Sequence, residues 1–242
     1  MTVTSKSAPS ASDLTTVVIL AGGQGTRIAG LTHGAPKCLL RMGDDSLLGC
    51  LLRSFVEGGF RRIVLLSGST KNARILRSWT ASRSTQAASI VVAPNAVPSD
   101  GPAAGLCSLR RQIETPYTLL ALGDVVFQTP PLAGLLSNPD LYDGGLLGCS
   151  SNLQMVTVGA ALPSEGTVRL IERPSSPIWA LKWSGLAHFP TTWLEMDLPA
   201  LRLLPVGAIL DQRQPLRAFD VPEFVNVNTP DDYVRALTLY GR

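Results

Sequence analysis

The apolar run Val17-Val18-Ile19-Leu20 passes without a break into Ala21-Gly22-Gly23-Gln24-Gly25, and this junction restricts the fold more than any other part of the chain. A short, mostly β-branched run is what a strand covered on both faces requires, as in the centre of a parallel sheet. Three glycines within four residues leave no Cβ between backbone N–H groups and an approaching anion. Thr26-Arg27 closes the loop and Pro36-Lys37 follows, so two cations stand beside a glycine cradle, as a polyphosphate site needs. A Walker A loop would require Lys-Ser/Thr after the last glycine, and a dinucleotide fingerprint counted from Gly23 would require glycine at Ile28; neither fits.

The string LAGGQGTR at 20–27 with PK at 36–37 resembles the signature of the nucleotidyltransferases that activate sugar phosphates and related phosphate acceptors. The resemblance implies a nucleotide held over Leu20, Ala21, Gly22, Gly23, Gly25 and Thr26, with Arg27 and Lys37 as the catalytic cations on its phosphates. Of 21 basic residues only Lys6, Lys37, Lys71 and Lys182 are lysine, so an arginine-biased chain keeps lysine at the signature position.

With 242 residues and a net charge of +3, the chain suits one sizeable α/β domain. No basic tract or aromatic-basic interleaving points to nucleic acid. Residues 144–164 carry no charge, but four glycines, a proline and several polar residues rule out a spanning helix, so no membrane partner is expected. Cys38, Cys50, Cys107 and Cys149 show neither CxxC spacing nor histidine companions, which reads as reduced, mostly buried thiols in a cytoplasmic protein. Residues 1–13, rich in Ser, Thr, Ala and Pro, read as a flexible tail without a signal-peptide core. The single domain then runs over 14–242, with nucleotide binding before about residue 130 and acceptor binding after it.

Strand and helix patterns alternate through the first half: strands at 16–21, 63–66, 90–93 and 117–122, helices at 46–57, 71–82 and 103–112. Helical crossovers of this length imply right-handed βαβ units and a mainly parallel sheet, with ligands beyond the carboxyl ends of its strands. In the second half 156–162, 168–172 and 181–189 read as strands without long helices between them, and 230–240 as a closing helix. The expected fold is therefore α/β, a three-layer sandwich with a Rossmann-like, mainly parallel sheet. A smaller mixed or antiparallel extension is laid over one end, as in the GT-A-like fold of the resembled family.

Asp124 follows the strand 117–122 and Gly123, where an exposed carboxylate can hold Mg²⁺ that keeps water and phosphate oxygens as its other ligands. The resemblance aligns Asn226, in Val225-Asn226-Val227-Asn228-Thr229-Pro230, with the second metal ligand. Asn-Thr-Pro-Asp at 228–231 is equally a helix start, with Thr229 as N-cap and Pro230 at the first helical position. The NVNTP string and Gly101-Pro102-Ala103-Ala104-Gly105-Leu106 look most like the molybdenum-cofactor guanylyltransferases. Asn95 and the segment 99–103, with Gly101, Pro102 and Ala103, are expected to line the base pocket. Glu172-Arg173-Pro174 and Trp183-Ser184-Gly185-Leu186 look like the sugar-phosphate branch, which would make Glu172, Arg173 and Gly185 acceptor-binding. His33 and His188 have no metal-ligand companion and are read as a loop and a strand residue.

The resemblance implies a Mg²⁺-dependent transfer from a nucleoside triphosphate, GTP being favoured, to a sugar 1-phosphate. A non-sugar phosphate such as molybdopterin, taking guanylyl or cytidylyl, is one alternative. A nucleotide-sugar sensing subunit without turnover is another, and a homo-oligomer stays open.

Overall fold

The computed structural model describes residues 10–23, 25–83, 87–96, 98–127, 131–136, 144–156, 158–171, 174–197, 199–213 and 215–241. In chain order its elements are β1 (Thr15–Leu20), α1 (Ala29–Thr32), β2 (Arg41–Met42), β3 (Asp45–Ser46), α2 (Leu47–Glu57), β4 (Arg62–Ser67), α3 (Thr70–Ala81) and β5 (Ser89–Pro94). Then come α4 (Gly101–Ser108), β6 (Tyr117–Leu122), β7 (Val125–Phe127), α5 (Pro131–Leu136), β8 (Gly145–Val156), β9 (Ala160–Ser164) and β10 (Thr167–Ile171). The chain closes with β11 (Ile178–Pro190), α6 (Gly207–Asp211), β12 (Leu216–Asp220), β13 (Phe224–Asn226) and α7 (Pro230–Tyr240).

β1 pairs in parallel with β4 on one side and β6 on the other, and β5 continues beyond β4. Alternation along β1 feeds two cores. Val17 and Ile19 pack with Leu48, Leu51, Leu52 and Phe55 of α2 and with Ala73 and Leu76 of α3. Val18 packs with Ala103, Ala104 and Leu106 of α4 and with Ile209 and Leu210 of α6. Helices on both faces explain why Val17–Leu20 of β1 is apolar at every position rather than at alternate ones. α2 begins at Ser46, whose hydroxyl accepts from Gly49 N at 3.1 Å, and its fully buried Phe55 contributes about 3–5 kcal/mol against truncation to alanine.

The expected smaller mixed extension is present: β8–β12 continue the same sheet beyond β6, and β13 pairs with β7 in a separate two-stranded sheet. β11 pairs antiparallel with β6 through Leu186–Pro190, covering the edge that β6 would otherwise expose. β8 runs along the far edge of β11, with β12 beyond it, whereas β9 pairs with β11 at Leu181 and Lys182. Because Leu181 faces both β8 and β9, and Ala187 both β8 and β6, β9 and β6 share one edge of β11. The β9–β10 ribbon thus stands beyond the carboxyl end of β6. The single strand expected over 156–162 is two strands: between Val156 and Ala160 the chain crosses from one edge of β11 to the other, and Gly159 in that crossing has φ +69.

The helix expected over 103–112 is α4 followed by a separate 3-10 turn at Arg110–Gln112. Part of the segment read as a tail is folded: Ser10 Oγ donates to Asp13 Oδ2 at 2.6 Å, and Arg62 Nη1 donates to Asp13 O at 2.7 Å. Residues 1–9 lie outside the described residues. Among the described residues no helix is long and apolar enough to cross a membrane.

Candidate active site

The sheet order reverses at β1: β4 and β5 lie to one side, β6 to the other. At such a switch point the loops leaving adjacent strands diverge and open a crevice. A cavity of about 390 Å³ occupies it, lined by Leu20, Ala21, Gly22 and Gly23 after β1, Leu66, Ser67 and Gly68 after β4, and Leu122, Gly123 and Asp124 after β6. Asn95, Gly101, Pro102, Lys37, Cys38 and Val206 complete its wall.

The glycines serve close backbone approaches. A Cβ on Gly22 would stand 2.5 Å from Gly68 N, and one on Gly123 would stand 2.8 Å from Leu20 O. Gly25 has φ +60, a left-handed conformation that reverses the chain into the 3-10 turn carrying Thr26, Arg27 and Ile28. Gly25 and Thr26 shape this turn and are not among the cavity-lining residues.

Lys37 opens a second 3-10 turn after Pro36 and is only 7% exposed. Its Nζ makes an ion pair with Asp124 Oδ2 and donates to Asn228 Oδ1 at 3.1 Å. Arg27 Nη2 donates to the same oxygen at 3.4 Å from a more exposed position. Both cations are anchored from beneath, because Ile28 and Leu40 belong to a core cluster with Val225, Val227 and Ala236. Val227 N donates to Asp124 O at 2.8 Å, so the end of β13 is fastened to the carboxylate-bearing turn. Burial, with the Asp124 carboxylate nearby, pushes the Cys38 thiol up to about 12 and makes it a poor nucleophile.

Asn95 is held by Ser67 O, which accepts from Asn95 N at 2.8 Å, and by Gly101 O, which accepts from Asn95 Nδ2 at 3.3 Å. Its amide rests on Gly105, where a Cβ would stand 2.6 Å from Asn95 Nδ2. The first residues of α4 therefore form the cavity wall. Ala103 does not: it is fully buried in the core beneath α4, and of the expected base-pocket residues in this helix Gly101 and Pro102 line the cavity.

Gly185, with φ +88, sits at an irregularity of β11, where a Cβ would stand 2.9 Å from the Leu122 side chain. Its contribution is to bring β11 against the cavity strand. Glu172 and Arg173 lie outside the described residues. Asn226 faces Val125 across the β13–β7 pair, and its Oδ1 is buried without a hydrogen-bond partner among the described residues.

Asn228 was legible only as part of a helix start, yet its side chain joins both cations. Thr229 is indeed the N-cap of α7, in a capping box with Asp232, which leaves the Asn228 amide free to turn towards Lys37. Ser67, Gly68 and Val206 went unread as site residues. The first two follow from the rule that ligands lie at the carboxyl ends of parallel strands; Val206 carries no sequence signal of its own.

His188 is buried in β11 and stacked on Tyr117 with ring centroids 5.3 Å apart, far from this crevice in role. Burial lowers its pKa to about 4, so it is a neutral strand residue. All four cysteines are free.

A doubly covered α/β sheet with a glycine cradle, a buried lysine and one carboxylate at its switch point defines a nucleotide-binding domain of the nucleotidyltransferase type. The chain belongs to the MobA-like NTP transferase domain family, whose model matches residues 17–140. Solved structures agree on the fold. One described as a glucose-1-phosphate thymidylyltransferase from Bacillus anthracis is 18% identical, with a TM-score of 0.79 over 93% of this chain and 94% of that one. The inositol-1-phosphate CTP transferase of T. maritima is 17% identical, with a TM-score of 0.75 over 92% and 94%. HddC from Yersinia pseudotuberculosis is 19% identical, with a TM-score of 0.74 over 92% and 98%. At these identities the likeness speaks for the fold alone. No curated protein sequence matches the chain.

Proposed function

We propose that the protein transfers a nucleotidyl group from a nucleoside triphosphate to a sugar 1-phosphate, releasing pyrophosphate, with guanine as the favoured base. The observation that carries this reading is Lys37, buried at the cavity mouth with its Nζ on both Asp124 and Asn228. An oxygen of the acceptor phosphate attacks the α-phosphorus, the bond to the bridging oxygen breaks, and pyrophosphate leaves with the electron pair. The acceptor phosphate is already anionic, so no general base is needed. Alignment and charge neutralisation supply the catalysis, and Lys37 and Arg27 are the cations placed for it.

Asp124 and Asn226 fit Mg²⁺. Both offer oxygen donors, as a hard cation requires, and Asn226 Oδ1 is a buried acceptor with no partner among the described residues. A bound ion would screen the charge between triphosphate and acceptor. With such an ion on Asp124, the Lys37 ammonium that now pairs with that carboxylate would be available to a phosphate oxygen.

The sugar-phosphate acceptor is favoured by the Trp183-Ser184-Gly185 strand and by the named acceptors of two fold neighbours, glucose 1-phosphate and inositol 1-phosphate. The MobA-like family match and the NVNTP string support a second reading, transfer to a pterin-type phosphate. The test is pyrophosphate release with Mg²⁺ over all common nucleoside triphosphates crossed with a panel of sugar 1-phosphates and a phosphorylated pterin. Release with one pair supports the first reading. Release only with a phosphorylated pterin moves the assignment to the second.

A further inference from the structure

Lys182 is one of four lysines in the chain and takes no part in the site described above. β11 meets β6 up to Leu186 opposite Ala121, and Lys182 lies four residues before that pair, across the irregularity at Gly185, which carries it at most about 13 Å past this point along the strand direction. It therefore stands beyond the carboxyl end of β6, on the side where Asp124 emerges. Its Nζ hangs 5.4 Å from the centre of the Phe224 ring, two residues before Asn226.

The charges around Lys182 are unbalanced. Among the described residues it makes no ion pair. Two groups of α7 act on it: Arg235 repels and Asp232 attracts. Asp232 is already committed, since its Oδ2 accepts from Asn228 N at 2.9 Å and from Thr229 N at 2.8 Å. Burial first, and Arg235 next, lower the proton affinity of Lys182. A half-buried ammonium beside a second cation is costly unless an anion completes it. The aromatic face offsets only part of that cost. Asp232, whose charge acts on Lys182, also holds the backbone of Asn228, whose side chain accepts from Lys37.

We propose that Lys182, supported by Arg235, is the anion-binding subsite for the acceptor, taking its phosphate group and orienting it towards the triphosphate. This rests on the nucleotidyl-transfer reading. Lysine suits the position because it offers a compact charge that can follow a phosphate oxygen during approach.

The test uses thermal unfolding of the full chain with Mg²⁺. The nucleotide site is first saturated with the α,β-methylene analogue of whichever common triphosphate raises Tm, and inorganic phosphate is then titrated as the probe. Wild type is expected to show a further rise in Tm. In Lys182→Met, and in the exposed-site variant Arg235→Ala, the phosphate concentration for half the effect should increase at least tenfold. The rise caused by the nucleotide analogue should stay unchanged, and Tm without ligands should not fall in Lys182→Met. Equal phosphate titrations in wild type and both folded variants overturn the subsite. No response of wild type to any triphosphate analogue overturns the transfer reading on which it rests.

Discussion

The Nζ of Lys37 lies 3.1 Å from Oδ1 of Asn228, across 191 residues of sequence. This contact ties the segment after the glycine loop to the turn before α7, and the Asp124 carboxylate meets the same ammonium. The turn before α7 is therefore part of the candidate site. Asn228→Ala should lower turnover about tenfold or more by freeing the orientation of Lys37, as loss of a neutral hydrogen-bond partner does. Lys37→Ala should cost about 10²–10³-fold, as removal of a charge-stabilising donor does. Steady-state rates on folded variants check both, and equal rates for wild type and Asn228→Ala would remove Asn228 from the site.

The close approach of Gly22 and Gly68 makes a steric prediction. Gly22→Ala places a Cβ 2.5 Å from Gly68 N, and backbone must move to admit it. We expect a loss of about 1–3 kcal/mol in denaturant unfolding together with weakened triphosphate binding. Gly30→Ala, where nothing lies within 4 Å of the added Cβ, is the matched control and should be neutral or slightly stabilising. Similar stabilities for the two variants would contradict the packing of β1 against the turn after β4.

Those two positions show how far the residues alone carry the reading. β1, the cradle, Asp124 after β6 and the capped start of α7 were legible because each is specified within a few adjacent residues. The contact of Gly22 with Gly68 arises only when β1 and β4 pair with Leu20 opposite Leu66, a long-range register that local patterns do not encode. Asn228 was hidden for another reason. Its neighbours already accounted for a helix start, and only the fold shows that its own side chain is left over for Lys37. The second half was read as strands, but its continuity with β6 depends on which edge of β11 each strand meets. Glu172 and Arg173, for which the resemblance implies acceptor binding, lie outside the described residues.

His188 gives a pH dependence with a definite sign. Its pKa falls from 6.5 to about 4 on burial, so above pH 6.5 it is neutral in both states and contributes nothing to the slope. Between pH 6.5 and about 4 the unfolded chain takes a proton that the folded chain refuses, so stability decreases as pH falls. The full effect is about 3 kcal/mol. Urea unfolding at pH 7.5 and pH 4.5 should show that loss in wild type and a smaller one in His188→Phe. Parallel losses in the two proteins would show that other groups dominate acid sensitivity.

The metal assignment predicts unequal effects for its two oxygen donors. Asp124→Asn removes the charged ligand and should abolish tight Mn²⁺ binding in the presence of a triphosphate. Asn226→Ala removes a neutral one and should weaken it about tenfold. Electron paramagnetic resonance of free Mn²⁺ measures both. Wild-type affinity in Asn226→Ala would leave its buried Oδ1 to another partner.

The most direct test of nucleotidyl transfer follows the α-phosphorus itself. Triphosphate labelled with ³²P at the α position is incubated with Mg²⁺ and the sugar 1-phosphate that supports pyrophosphate release. The expected result is label in the sugar nucleotide in amounts equal to the pyrophosphate released, falling about 10²–10³-fold in Lys37→Ala and Asp124→Ala. Label recovered as free nucleoside mono- or diphosphate, or undiminished transfer by a folded Asp124→Ala protein, would contradict the account.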